Sequence, residues 1–174
     1  MTTASQTITA TDLSHLRRCI ELAAEALEAG DAPFGSVLVD GAGKVLAEDR
    51  NRIKSMDDST RHPEFELARW ATTNMTAEAR ADATVYTSGE HCVMCSAAHA
   101  HVRLGRIVYV ASMRQFVGWL GEFKKEKGEE EEGEVVMSVA PLPVNAVASA
   151  VEVRGPVPEL ESQIKALHRR YAGL

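Results

Sequence analysis

Two short segments carry the side chains best suited to chemistry, His62-Pro63-Glu64 and Cys92-Val93-Met94-Cys95. One imidazole and two thiols are three ligands of the kind that zinc takes in proteins. Three protein ligands leave the fourth position of a tetrahedral Zn²⁺ open, which is typical of a catalytic site rather than a structural one. Such an ion lowers the pKa of a bound water to near neutrality. Glu64 lies only two positions from His62, which makes it unfavourable as a further ligand of the same ion. It is instead well placed to accept and donate the protons of the bound water.

The elements predicted around these segments can bring them together. A helix is predicted over residues 63–73, because Pro63 suits a first helical turn, and His62 then lies at its entrance. Residues 83–88 are rich in β-forming residues, and a helix predicted over 92–102 follows them. Both cysteines therefore fall at a helix N-terminus, where the dipole favours thiolate, and their i, i+3 spacing puts them on one face.

This pairing resembles the H-x-E … P-C-x-x-C signature of the zinc-dependent cytidine deaminase superfamily. The resemblance covers residues 12 to 112 well and the C-terminal third loosely. Further segments look like the bacterial nucleobase and nucleoside deaminase branch, in the same order: Ala32-Pro33-Phe34-Gly35, Asn51, Asp58-Ser59-Thr60-Arg61-His62 and Val85-Tyr86-Thr87-Ser88. The chain departs from the family at His91, where the family usually has proline.

The resemblance implies a fold and a set of roles. We expect one deaminase domain over residues 1–174, a three-layer α/β/α cytidine deaminase-like fold with a mixed sheet of about five strands. Glu64 would be the catalytic residue, and Zn²⁺ would be held by His62, Cys92 and Cys95. By resemblance, the expected substrate contacts are Phe34, Asn51 and Trp119. His91, which stands where the family has proline, is a further expected contact because it lies next to the zinc ligand Cys92. Relatives of this kind are commonly oligomers, so a homo-oligomer, in the simplest case a dimer, is expected by resemblance alone.

Hydrophobic periodicity predicts the remaining elements. The pattern indicates a first helix over 12–30, a hairpin of strands over 34–40 and 44–47, a loop over 48–61, and a strand over 106–112 parallel to 83–88. The C-terminal predictions are a short helix or apolar loop over 113–123, a solvated glutamate-rich loop over 124–134, β-prone runs over 135–139 and 147–153, and a final helix from Pro158.

Composition limits the class of protein. The length of 174 residues fits one domain, and 45% hydrophobic with 25% charged residues is ordinary for a globular protein. The formal charge of −6 disfavours a nucleic-acid surface, because phosphate binding needs clustered cations. No apolar run is long enough for a membrane span, and residues 1–11 lack the features of a secretory signal. A ligand-spaced cysteine pair indicates a reducing compartment, so we expect a cytoplasmic protein.

We therefore expect a zinc-dependent hydrolytic deaminase that releases ammonia from a free nucleobase or nucleoside, of the guanine or cytosine/cytidine type. Three alternatives stay open at this point. One is deamination of adenosine in transfer RNA. Another is a non-enzymatic zinc module in which His99 completes a closed Cys₂His₂ site with His62. The third is a thiol redox protein that uses Cys92 and Cys95.

Overall fold

The computed structural model describes residues 7–128 and 137–174 of the chain. The strands in these residues are β1 (Gly35–Val39), β2 (Val45–Arg50), β3 (Thr84–Gly89), β4 (Arg106–Ala111) and β5 (Val153–Arg154). The helices are α1 (Ala10–Glu28), α2 (Ile53–Met56), α3 (Pro63–Asn74), α4 (Ala77–Asp82), α5 (Val93–His101), α6 (Met113–Glu126), α7 (Val144–Val147) and α8 (Pro158–Tyr171).

The five strands form one mixed sheet in the order β2-β1-β3-β4-β5. β1 pairs antiparallel with β2, as the predicted hairpin requires, and it also pairs antiparallel with β3. β3 and β4 are parallel and joined through α5, so the predicted crossover unit is confirmed. β4 and β5 are also parallel. The carboxyl ends of β3 and β4 consequently share one edge of the sheet, and the chain enters α5 and α6 at that edge.

Helices cover both faces of the sheet, which confirms the three-layer architecture. Successive strand residues point to opposite faces, so each inner strand contributes side chains to the hydrophobic clusters on both faces of the sheet. Tyr86 of β3 packs in the cluster with α1, α6 and α8, whereas its neighbour Val85 packs in the cluster with α3. The first cluster is the larger and includes Leu16, Ile20, Val108, Trp119 and Ile164.

The loop predicted over 48–61 contains regular structure, and that prediction is wrong in part. β2 runs through the first three of these residues, and α2 forms in the middle of the segment. The buried carboxylate of Asp31 accepts hydrogen bonds from the backbone N–H groups of Lys54 (2.8 Å) and Ser55 (2.9 Å), which holds α2 in place. Helix α4 was not predicted, although the Thr76 hydroxyl caps its first turn.

The C-terminal third differs most from prediction. α6 is a full helix that continues to Glu126, so the first three residues of the predicted 124–134 loop are helical, and 129–134 lie outside the described residues. Residues 137–139 of the first β-prone run form no strand, and only 153–154 of the second are paired in the sheet. The final helix from Pro158 is confirmed. Among the helices that the structure describes, none combines the length and apolar character needed to cross a bilayer.

Candidate active site

The three expected metal ligands lie together where α3 and α5 begin. His62 is the N-cap residue of α3, with Pro63 in the first turn, and Cys92 is the N-cap residue of α5. His62 Nδ1 lies 3.7 Å from the sulfur atoms of both Cys92 and Cys95, and the two sulfurs lie 3.6 Å apart. One donor atom from each of the three residues therefore falls within 4.8 Å of the others.

These distances fit a single zinc ion. Ligand atoms 2.0–2.3 Å from a tetrahedral zinc lie about 3.5–3.8 Å from one another. The nitrogen–sulfur and sulfur–sulfur separations of 3.6–3.7 Å fall in that range. Two sulfurs with one imidazole nitrogen are also a ligand set that zinc enzymes use. The geometry and the donor chemistry of these three residues could thus hold zinc.

The pKa values of the three expected ligands depend on the hydrogen bonds among them. The hydrogen bond with Cys95, and then that with His62, lowers the pKa of Cys92 to about 4. The hydrogen bond with Cys92, together with burial, raises the pKa of Cys95 well above its usual value. The hydrogen bond with Cys92 raises the pKa of His62. The unmetallated pair therefore holds one negative charge, and a cation among the three donor atoms favours loss of the second thiol proton.

Glu64 lies beside this cluster without joining it. Its side chain is buried, and one oxygen, Oε1, lies 3.2 Å from the hydroxyl of Thr87 on β3. The other oxygen, Oε2, lies 3.7 Å from Cys95 Sγ and so faces the metal ligands. Burial raises the pKa of Glu64, because the charged carboxylate loses its hydration. The hydroxyl of Thr87 thus holds Oε1 of the carboxyl group, and Oε2 is available for proton transfer.

A cavity of about 90 Å³ adjoins the ligand cluster and Glu64. Its lining includes three of the four residues expected to contact substrate, namely Phe34, Asn51 and Trp119, and also Phe116 and His168. Phe34 and Phe116 pack edge to face with ring centroids 5.5 Å apart. Among the described residues, no lysine or arginine lines the cavity. The space is small and partly aromatic, and the described part of its wall contains no lysine or arginine.

Asn51 is placed by backbone interactions on both sides. Its N–H donates to the carbonyl of Phe34 (2.9 Å), and its side-chain oxygen accepts from the N–H of Ile53 (3.1 Å). Asp31 anchors the residues that follow, and its carboxylate is 0% exposed. The segment that carries Asn51 is therefore fixed to the first strand rather than free in solution.

His91 does not line the cavity, so the geometry gives no support to the substrate contact expected there. Its ring is 0% exposed and packs at 5.4 Å against the ring of His99. Burial lowers the pKa of His91 well below its usual value. His99 donates from Nε2 to the carbonyl of Gly105 (2.9 Å) and is not part of the donor cluster. The closed Cys₂His₂ arrangement is thus not formed.

Two buried residues of the site were not predicted. Glu90 accepts hydrogen bonds from the N–H groups of Met113 (2.8 Å) and Val144 (2.9 Å), which ties α6 and α7 to the end of β3. The second is His168, which is 5% exposed and lines the cavity. Its position four residues after Ile164, on the apolar face of α8, is the sequence signal that could have revealed its burial.

Comparison with known proteins decides the family. Residues 11–142 match the model of the MafB19-like deaminases. This chain belongs to the MafB19-like deaminase family. Membership makes it an enzyme of the deaminase class, which excludes the non-enzymatic zinc module and the thiol redox protein.

The relatives of this chain are deaminases named for different substrates. The chain is 35% identical to the tRNA-specific adenosine deaminase of Haemophilus influenzae over 101 residues, 58% of each protein. It is 38% identical to the guanine deaminase of Bacillus subtilis over 98 residues, 55% of this chain and 62% of that protein. The aligned part thus spans about three fifths of these two curated relatives. A probable cytosine deaminase of Schizosaccharomyces pombe is 30% identical over 159 residues, 88% of each.

The fold is shared with a solved guanine deaminase. The structure of guanine deaminase from Nitrosomonas europaea superposes with a TM-score of 0.64 over 97% of this chain and 87% of that one. The sequences are 18% identical, so this likeness concerns the fold alone. It confirms that the mixed sheet with helices on both faces is a cytidine deaminase-like fold.

Proposed function

We propose that this deaminase hydrolyses the exocyclic amine of a free nucleobase or nucleoside, of the guanine or cytosine/cytidine type. Zinc would be held by His62, Cys92 and Cys95, and Glu64 would carry the protons. The observation that carries the proposal is the meeting of a zinc-type donor cluster, a buried carboxyl group and an aromatic wall in one small cavity. The net reaction adds water, breaks the carbon–nitrogen bond and releases ammonia.

When bound, a three-ligand zinc supplies a hydroxide nucleophile near neutral pH. The helix entrances that carry His62 and Cys92 place two positive dipole ends at the ligands, which favours thiolate in both cysteines. The roles left to the protein side chains are to bind the substrate ring and to transfer protons between the water and the substrate.

Glu64 suits the proton transfers by its geometry. Thr87 holds Oε1, so Oε2 is the oxygen that can accept a proton and pass it on. From that position it gives the proton to the ring nitrogen beside the carbon under attack, and later assists departure of the amine as ammonia. The exclusion of water around a buried carboxyl group strengthens each of these interactions.

The charges around the cavity favour an uncharged substrate. Two carboxyl groups, those of Glu64 and Glu90, belong to its lining, and the described lining contains no lysine or arginine. A phosphate group near the cavity would meet these carboxyl groups without a lysine or arginine side chain to pair with. The net charge of −6 on the whole chain also disfavours a negatively charged substrate. A free base or nucleoside fits this environment better than a nucleotide.

Deamination of adenosine in transfer RNA is the second candidate, supported by the 35% identity with the Haemophilus influenzae enzyme. A tRNA surface needs several cations directed at phosphates. Nine lysine and arginine side chains of the described residues are instead engaged in ion pairs with carboxylates: Arg18, Arg50, Arg52, Arg61, Arg69, Arg154, Lys165, Arg169 and Arg170. This pairing weakens the tRNA alternative.

The remaining expectations are also proposals. We propose that residues 1–174 act as one deaminase domain, supported by the alignment with the Schizosaccharomyces pombe relative over 88% of both chains. The three unbridged cysteines suit a reducing, cytoplasmic compartment. A homo-oligomer follows from the family resemblance alone.

A coupled ammonia assay on the zinc-loaded protein tests the substrate class. The panel would contain guanine, cytosine, adenine, the corresponding nucleosides, and a tRNA with adenosine in its anticodon loop. We expect ammonia from at least one free base or nucleoside and none from the tRNA. Turnover confined to the tRNA would contradict the charge argument and establish the second candidate.

A further inference from the structure

His168 reaches the active-site cavity from α8, far along the chain from the other site residues. Its ring lines the same cavity as Glu64. The ring centroid lies 4.9 Å from those of both Phe34 and Phe116, and 6.0 Å from that of Trp119. The imidazole is therefore one member of an aromatic group that forms part of the cavity wall.

The imidazole of His168 has no hydrogen-bond partner among the described residues. The residue is only 5% exposed, and its ring makes no hydrogen bond within residues 7–128 and 137–174. Its nitrogens are not among the fully buried atoms that lack a partner, so they keep some accessible surface. Buried polar groups in folded proteins nearly always have a partner. The buried neighbours on this face of α8 are Leu160, Ile164 and Leu167, so an apolar side chain would serve packing equally well. His15 and His91 also have unpartnered ring nitrogens, but neither residue lines the cavity, so the position of His168 at the cavity wall is what points to a ligand.

The protonation state of His168 suits recognition of an uncharged ring. Burial lowers the pKa of His168 to about 4, so the side chain is neutral at pH 7. A neutral imidazole offers one N–H donor and one acceptor nitrogen. The cations near it on α8 face outward to glutamates of other helices, in the pairs Lys165–Glu122, Arg169–Glu126 and Arg170–Glu28.

We infer that His168 is a specificity-determining residue that hydrogen-bonds the polar edge of the substrate ring, with Phe34 and Phe116 packed against that ring. The inference rests on the proposed function and narrows it. The substrate would be an uncharged, planar heterocycle with a hydrogen-bonding edge in addition to the carbon that loses its amine. An analogue without that polar atom would leave the buried imidazole unpaired, which a specific site rejects strongly.

The test compares two replacements of His168 with a matched control. His168→Phe keeps an aromatic ring and removes both polar atoms, whereas His168→Gln keeps a donor and an acceptor. The control is His15→Phe, since His15 lies outside the cavity and stacks on Tyr86 with ring centroids 4.8 Å apart. Kinetics would cover guanine, cytosine, adenine, 2,6-diaminopurine and their nucleosides.

We expect His168→Phe to lower kcat/KM for the best substrate about 10- to 100-fold, mainly through KM, and to change the ranking of the substrates. His168→Gln should restore part of this loss, and His15→Phe should stay within about twofold of the parent protein. Binding gives an independent readout. The ¹⁵N resonances of the His168 ring should shift when the best base is added to a Glu64→Gln protein, which binds the base without consuming it.

Two results would overturn the inference and leave the proposed function intact. One is a kcat/KM within about twofold of the parent for every substrate in His168→Phe. The other is an unchanged His168 resonance at saturating concentrations of a base that the enzyme deaminates. If the parent protein neither binds nor deaminates any base or nucleoside, the proposed function itself fails, and the inference fails with it.

Discussion

The hydroxyl oxygen of Thr87 lies 3.2 Å from Glu64 Oε1, deep between β3 and α3. The same hydroxyl accepts a hydrogen bond from Ser36 on the neighbouring strand (2.9 Å) and also lies 3.1 Å from the carbonyl of Gly89. Ser36 and Thr87 are each 0% exposed. A buried polar chain thus runs from the centre of the sheet to the carboxyl group that we propose to carry protons, and it fixes which oxygen faces the metal ligands.

Replacement of Thr87 by valine should slow turnover without unfolding the protein. The valine keeps the shape of the side chain but leaves Oε1 of Glu64 without its partner. A neutral hydrogen bond contributes about 0.5–1.5 kcal/mol, so we expect kcat to fall about 2- to 13-fold. Thr84→Val is the matched control, because Thr84 is buried at the other end of the same strand. Equal kinetics for the two variants would show that the Thr87 contact has no role in turnover.

Asp31 should act on substrate binding through the segment that holds Asn51. Its Oδ1 accepts two backbone hydrogen bonds, and its Oδ2 lies 3.4 Å from a guanidinium nitrogen of Arg50. Asp31→Asn removes the charge and brings an amide N–H₂ group towards that arginine. We expect a loss of about 1–3 kcal/mol in the free energy of unfolding and a raised KM.

The control for Asp31 is Asp57→Asn. Asp57 is exposed in the same segment and has a φ of 50°, a conformation that asparagine tolerates. Denaturant unfolding and steady-state kinetics would measure both variants. An Asp31→Asn protein as stable and as active as Asp57→Asn would contradict the anchoring role.

The burial of His168 predicts a pH dependence of stability. Its pKa is about 4 in the folded protein and near 6.5 when the ring is free in water, so the unfolded chain binds the proton more tightly. The contribution of the neutral His168 to the free energy of unfolding is therefore fully present above about pH 6.5 and is lost as the pH falls towards 4. By linkage the full effect is about 3 kcal/mol, of which about 2 kcal/mol is lost between pH 7 and pH 5.

His168→Phe should remove this part of the pH dependence. The pKa values of His91 and His99 are also lowered by burial, but their contribution is common to both proteins and cancels in the comparison. Urea unfolding at pH 7 and pH 5 measures the difference. If the parent and His168→Phe lose the same unfolding free energy between the two pH values, His168 is accessible to protons in the folded state.

Local patterns predicted the parts of the fold that depend on neighbouring residues. Pro63 at a helix start and the i, i+3 spacing of Cys92 and Cys95 were enough to place the ligand cluster at two helix entrances. The parallel pairing of β3 and β4 followed from strand, helix and strand in close succession. These features lie within about 30 residues of one another along the chain, where spacing constrains geometry.

Long-range contacts explain what the sequence did not predict. The hydrogen-bond partners of Glu90 include the N–H of Val144, which is 54 positions away along the chain. No local sequence pattern predicts a hydrogen bond over that distance. His168 packs against Phe34 because α8 returns across the sheet, so its charge state depends on burial that residue type alone does not show. His91 was predicted by its nearness in sequence to Cys92, but its ring turns to His99 on the other side of the helix entrance.

Turnover by zinc-loaded Glu64→Gln protein tests the central claim most directly. Glutamine keeps the size of the side chain and cannot accept the proton. The control is Glu66→Gln on the same helix, where the carboxylate pairs with Arg61 and Arg69 outside the cavity. With about one zinc per chain in both variants, we predict that Glu64→Gln deaminates the best substrate at least ~10²-fold more slowly than the parent, and Glu66→Gln at a similar rate. Near-normal turnover by zinc-loaded Glu64→Gln would contradict the account.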